Sequence, residues 1–191
     1  MQSLSLLKPK ASASAEEDAS LVRAAQRDPA DFAPLYRRYV TRIYRYIYSR
    51  VGNAADAENL TAQVFTEALE GLDRYREQGN FAAWLFTIAR HKLTDHYRRQ
   101  RPHVPLNEAL DSSAEEENPL DHVVHEEALK RLAALVAQLD EEKQELLRLR
   151  FAAGLTYGQI GRLIGRSEAA VKVAVHRLLH RLKAAWEESD E

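Results

Sequence analysis

Between positions 32 and 47 the residues Phe32, Leu35, Tyr36, Tyr39, Ile43, Tyr46 and Ile47 recur at intervals of three and four. That spacing follows the 3.6-residue turn of an α-helix and lays one broad apolar stripe along it, which must be buried against other elements. Strand-type alternation is absent from the chain, and glycine and proline fall mainly where the helical periods break. The expected fold class is therefore all-α.

The breaks divide the pattern into two groups of helices. A first helix is expected from about 16 to 27, ending before Asp28-Pro29, and a second from about 31 to 50, stopped by Gly52. Asn53 caps a third, which carries Ala57, Leu60, Val64, Ala68 and Leu72. A loop over 75–80 leads to a fourth, which begins at Phe81 and stops near Arg99, ahead of Pro102. Residues 102–122 hold Pro102, Pro105, Pro119 and an acidic run, too poor in apolar residues to fold alone. In the second group a helix over 128–139 presents Leu132, Leu135 and Leu139, Asp140 caps the next, and Gly154 ends it. Thr156 caps a short helix over 157–164, Gly165 breaks it, and Ser167 caps a last helix to about Trp186. The expected organisation is a disordered tail (1–15), a first domain (16–101), an acidic flexible linker (102–122), a second domain (123–186) and an acidic tail (187–191).

Net charge is −2, but it is segregated. Residues 37–50 hold five arginines and no acid, and 90–101 hold five lysines and arginines against Asp95 alone. Residues 143–186 carry nine basic residues against Glu145 and Glu168, whereas 107–127 carry eight acids and no lysine or arginine. Basic blocks on folded segments with acid confined to a connector are the footprint of a polyanion binder. Solvated helix faces account for any one block equally well; three blocks kept apart by acidic segments favour nucleic acid.

Several classes drop out. With no cysteine, disulfides, thiolate nucleophiles and cysteine metal sites are excluded, which fits a reducing cytoplasm. No apolar run approaches the roughly 20 residues of a membrane span, so no membrane insertion is expected. The apolar patch Leu4, Leu6, Leu7 precedes its lysines, the reverse of a signal peptide. P-loop, dinucleotide-turn and HExxH patterns are absent, so no enzyme and no cofactor are expected. His176 and His180 have the spacing of a metal pair, as do His122 and His125 at a shorter interval, but no third ligand is evident and no metal site is expected. Gly158-Gln-Ile-Gly161 matches the GxxG of an RNA-binding loop, yet it falls inside a helix with no strands nearby.

The stretch 156–182 reads as a helix-turn-helix: cap, short helix, glycine-centred turn, second cap, long basic helix. Val171, Ala174, Val175, Leu178 and Leu182 form its core stripe. Ser167, Glu168, Ala169 and Lys172 are placed to reach base edges, and Arg177, Arg181 and Lys183 to hold phosphates. In the first group Arg90, Lys92, Arg98, Arg99 and Arg101 make a basic rim beside Phe81, Trp84 and Tyr97, as single-strand binders combine a phosphate-tracking groove with aromatic platforms. For Trp84 a core position is the favoured alternative.

The segments LYRRYVTRIYRYIYSRVGN (35–53), DAENLTAQVFTEAL (56–69) and NFAAWLFTIARHKLTDHYRRQR (80–101) together resemble the promoter-melting domain of the sigma-70 family, in its extracytoplasmic-function (ECF) group. LTYGQIGRLIGRSEAAVKVAVHRLLHRL (155–182) resembles that group's second domain, in the expected order. The resemblance implies a sigma region 2 helical bundle and a sigma region 4 helix-turn-helix, and a factor that binds core RNA polymerase and directs promoter recognition and melting, as an alternative stress- or signal-responsive factor. It implies that Asp56, Glu58, Asn59, Leu60, Gln63 and Val64 dock on the clamp helices of the polymerase's largest subunit. Tyr75, Arg76, Asn80, Arg90, His91, Lys92, Asp95, Arg98 and Arg99 would hold the separated −10 strand. Arg166, Ser167, Glu168, Ala169, Lys172, His176 and Arg177 would read the −35 duplex while the domain rests on the flap, and the linker would run towards the active-site and RNA-exit channels. An anti-sigma factor is the further partner implied. The chain departs from the family pattern at Asn59 and Gln63, where carboxylates are common, and at Val173-Ala174, where a serine–arginine pair is usual. Arg166 stands where an apolar turn residue is typical. Thr61 and Thr66 are hydroxyls that could accept phosphate.

Overall fold

The computed structural model describes residues 11–76, 80–99 and 119–188, with the backbone alone for 11–14 and 119–126. The chain is all-α: among the described residues there are helices and turns and no strand. Helix α1 (Ala11–Arg27) begins five residues earlier than the sequence suggested, inside the segment expected to be a disordered tail. At its end Asp28 donates its N–H to Ala24 O, and the Asp28 side chain accepts from Ala30 N to cap a 3-10 turn over Pro29–Phe32 that leads into α2 (Ala33–Val51). The Asn53 side chain accepts from Asp56 N at 2.8 Å and caps α3 (Ala54–Gly71). A 3-10 turn (Leu72–Arg74) and the loop then lead to α4 (Phe81–Arg99).

The stripe on α2 buries Leu35, Tyr39, Ile43, Tyr46 and Ile47 against α3 and α4. Its rings meet α4 edge to face, Tyr39 on Phe81 and Tyr46 on Phe86, the geometry that aromatic quadrupoles favour. Helix α1 secures the turn after α3, because the Gln26 amide donates to both Leu72 O and Tyr75 O at 2.9 Å.

In the second group α5 (Pro119–Ala137) starts nine residues before the expected 128 and takes up the end of the supposed linker. Proline is tolerated there because the first helical turn leaves its N–H groups without intrahelical partners. Residues 1–10, 102–118 and 189–191, which carry the rest of the expected tails and linker, lie outside the described residues, as does Arg101. Asp140 caps α6 (Glu141–Leu147) by accepting from Lys143 N, and a π-helical turn over Arg148–Ala152 continues it. A capping box of Thr156 and Gln159 opens α7 (Tyr157–Ile164), and Gly165 ends it in the left-handed region at φ 72°. α8 (Glu168–Glu188) follows, with Val171, Val175 and Leu178 buried. The turn between them packs so tightly that a Cβ on Gly161 would lie 2.4 Å from the carbonyl oxygen of Arg166. The look-alike Gly158–Gly161 is therefore part of the helix-turn-helix itself.

The two groups share one continuous core, which Leu146, Leu149, Ala153, Leu155 and Ile160 extend from the second into the first. Around it lies a polar seam from one edge of α2, where Arg42, Tyr46 and Arg50 stand a turn apart. The Arg42 guanidinium donates to Ala153 O at 2.8 Å and to Gly154 O at 3.1 Å. Arg50 pairs with Glu141 and, at 3.2 Å, with Glu145, which also receives Arg90 at 3.5 Å.

Candidate functional site

The sequence singled out three surfaces, and the fold treats them differently. On α3, Glu58 and Asn59 are exposed and Gln63 is half-buried, its amide donating to Asn59 Oδ1 at 3.0 Å. Asp56 sits in the capped first turn with His96 Nε2 at 3.7 Å. Leu60 and Val64 do not belong to this surface. They are 4% and 0% exposed, turned into the core with Ala57 and Ala68 by the helical period, so neither can touch a partner directly. The outward side is completed by Ala62, Thr66 and Leu69, the last 42% exposed, with the exposed Tyr36 of α2 packed on Phe65 beside it. Leu69 and Tyr36 escaped the sequence reading because an apolar residue in a helical period counts as core until its neighbours are known. Thr61 is buried, while Thr66 is exposed and donates to Ala62 O.

The second surface is a cleft of about 530 Å³ between the loop and α4, lined by Arg74, Tyr75, Arg76, Asn80, Trp84 and Thr87. Tyr75 is buried against Phe81 and Trp84, with ring centroids 5.7 and 4.8 Å away, so its ring forms the wall rather than a free platform. Trp84, whose favoured place was the core, is half-buried and lines the cleft. Asn80 caps α4 through Oδ1, and its Nδ2 is buried with no hydrogen-bond partner among the described residues. From the cleft, residues spaced by three and four carry one stripe along α4: Trp84, Thr87, His91, Asp95 and Arg98. His91, Arg98 and the neighbouring Arg99 are exposed, and Asp95 Oδ1 holds Arg98 at 3.1 Å.

Two expected members leave this stripe. Lys92 turns to α3 and pairs with Glu67 at 2.5 Å, and Arg90 turns to the second group and Glu145. Arg74 and Thr87 are the lining residues the sequence missed: Arg74 stands apart from every basic block, and a threonine inside a helix gives no local signal. From across the cleft, Arg162 and Leu163 of α7 also line it.

The third surface is the start of α8. Ser167 Oγ accepts from Ala170 N at 3.2 Å as its cap, and Arg166 pairs with Glu142 at 2.7 Å. The Glu168 carboxylate lies over α7, where a Cβ on Gly158 would meet its Oε2 at 3.0 Å. Ala169, Lys172, His176 and Arg177 are exposed together on the outer side, His176 near the Tyr157 ring at 6.3 Å. These four make a continuous face, whereas Arg166 is paired within the second group and Glu168 lies beside Gly158 of α7. Among the described residues no three His, Cys, Asp or Glu side chains gather as a metal site, and no helix is long and apolar enough to cross a membrane.

A bundle with a basic-rimmed cleft, followed by a helix-turn-helix, is also what the comparisons return. Residues 35–103 match the family model Sigma-70 region 2, and residues 129–182 match Sigma-70, region 4. The chain is 37% identical over 179 residues to the ECF RNA polymerase sigma factor BldN of Streptomyces coelicolor, covering 92% of this chain and 68% of that one. The chain belongs to the ECF sigma factors of the sigma-70 family. The sigma factor is also 40% identical over 156 residues to ShbA of Streptomyces griseus, covering 75% of this chain and 81% of that one. Its fold is that of CnrH, solved with the cytosolic domain of CnrY (TM-score 0.63, 22% identity, 88% of this chain and 96% of that one). The same holds for the sigma factor RpoE of Bartonella quintana (TM-score 0.57, 20% identity, 82% and 97%). Sigma factors are non-enzymatic initiation factors. This one is an alternative sigma factor that binds core RNA polymerase and promoter DNA and directs transcription initiation.

Proposed function

We propose that the sigma factor docks on the polymerase clamp with the outward side of α3, around Asp56, Glu58, Asn59 and Gln63. It holds the separated −10 strand at the cleft of Tyr75, Arg76, Asn80 and Trp84 and along His91, Arg98 and Arg99. The outer face of α8, with Ala169, Lys172, His176 and Arg177, enters the −35 major groove. The cleft carries the reading. Asn80, whose buried Nδ2 has no hydrogen-bond partner among the described residues, lines a site walled by two aromatic rings and rimmed by Arg74 and Arg76. A base taken out of its stack needs those elements: a ring to pack on, a donor for its polar edge and cations for its phosphates.

Acting with the polymerase, the factor works in the cytoplasm and responds to stress or another signal by release from an anti-sigma factor. A solved relative of this fold, RpoE of Bartonella quintana, is itself bound to the anti-sigma factor NepR, which supports that reading.

Adding the purified full-length chain to core polymerase, with start sites mapped on genomic fragments, tests the proposal. Promoter-specific transcripts absent with core alone are expected. Failure to bind core in a pull-down overturns it, and tight duplex binding without polymerase would point to a free-standing helix-turn-helix regulator.

A further inference from the structure

The buried side of α8 is marked by Val171, Val175 and Leu178. At about 100° per residue the line farthest from that side runs through Ala169, Val173, His176 and His180. Val173 is 47% exposed at its middle, on the sixth residue of the helix, with exposed Lys172, His176 and Arg177 around it. Among the described residues, the other exposed large apolar side chains of α5 and α8, Leu132 and Leu179, belong to an apolar groove between those helices, closed by Leu129, Leu182 and Trp186. Val173 has no part in that groove or in the core. A β-branched residue here lowers helix propensity slightly and leaves nearly half of its surface open, which suits a contact made outside the chain.

We propose that Val173 reads a thymine of the −35 element through its C5 methyl group; this rests on the reading of α8 as the −35 helix. The major groove displays that methyl only at thymine, beside its O4 acceptor, while cytosine, adenine and guanine present donors or acceptors and no methyl. An apolar side chain in the middle of that line therefore selects thymine by burying methyl against methyl, a contact that no other base offers. Lys172 and Arg177, on either side of Val173, are placed to hold the flanking phosphates and set its depth. Ala169, one turn earlier on the same line, continues the apolar edge.

The test uses holoenzyme assembled from core polymerase and the full-length chain. Promoters are selected from a library with a randomised −35 region, and each enriched thymine is then replaced by deoxyuridine, which removes the methyl and keeps every hydrogen-bonding group. One such replacement should lower initiation by wild type about fourfold, the worth of one buried methyl-sized group. Val173→Ala should lower initiation on the unmodified promoter comparably and respond no further to deoxyuridine at that position. Arg177→Ala should weaken both promoters equally. Promoter-specific initiation with the same deoxyuridine response in wild type and Val173→Ala overturns the inference alone. Absence of promoter-specific initiation by wild type overturns the −35 reading beneath it. Because Val173 is exposed and alanine is the better helix former, the variant keeps its fold, checked by an unchanged melting temperature.

Discussion

The phenol of Tyr46 donates a 2.7 Å hydrogen bond to the carboxylate of Glu145, joining the second helix to the sixth across the boundary between the two helical groups. The same carboxylate receives Arg50 and Arg90, so three donors from the first group converge on one side chain of the second. Glu145 is 14% exposed, and its removal takes this acceptor from the buried Tyr46 phenol and from Arg90, while Arg50 keeps Glu141.

Glu145→Ala should therefore loosen the joint by about 1–3 kcal/mol, the cost of leaving such groups unpaired. The chain contains no cysteine, so labels on single introduced cysteines at exposed Arg23 and Lys183 report the separation directly. A longer and broader distance distribution in the variant is expected; an unchanged one would show that the apolar core alone holds the groups together.

Alkaline stability should depend on the same phenol. Burial, and then the Glu145 charge, push the Tyr46 phenol well above its ordinary value near 10, and burial and Asp18 do the same to Tyr39. A group raised in the folded state keeps its contribution below the unfolded value and loses it as pH climbs beyond. Unfolding free energy should fall above about pH 10, and Tyr46→Phe should make the fall less steep. Denaturant titrations at pH 9 and 11 measure the difference.

At the cleft, Trp84→Ala should cut promoter opening by roughly 5- to 150-fold, the range for losing one base–aromatic stack of about 1–3 kcal/mol. Core binding should persist, because Trp84 meets α3 at Gly71, eight residues beyond Gln63. Permanganate reactivity of −10 thymines reads the opening, and equal reactivity in wild type and variant would remove the ring from strand capture.

In the helix-turn-helix, Gly161→Ala should destabilise by about 1–3 kcal/mol or more, because the added methyl meets the Arg166 carbonyl, which backbone movement alone can relieve. The melting temperature should fall, and −35-dependent initiation should fall before core binding does.

The caps were legible because each is a local rule: Asn53, Asp140, Thr156 and Ser167 all accept the hydrogen bonds their types suggest. The helix starts at Ala11 and Pro119 were not, since neither segment carries enough apolar periodicity to announce itself. Burial was the harder question. Leu60 and Val64 were placed on a binding surface by resemblance, although they share the apolar period of Ala57 and Ala68 that packing turns inward. Arg90 and Lys92 sat in one basic block, yet the turn of the helix sends them to different neighbours, Glu145 and Glu67 respectively.

The π-helical turn over Arg148–Ala152 spans five residues per hydrogen bond, with Ala153 N bonded to Arg148 O at 2.9 Å. It works as a phase adjuster, absorbing one residue that a regular helix would not hold. Deleting one residue there would restore an ordinary helix and rotate α7 and α8 by about 100°, carrying the Ala153 and Gly154 carbonyls away from Arg42. The length of this one turn thus sets the orientation in which the helix-turn-helix meets the first domain, and a single-residue deletion would rewire that encounter without altering any residue that makes it.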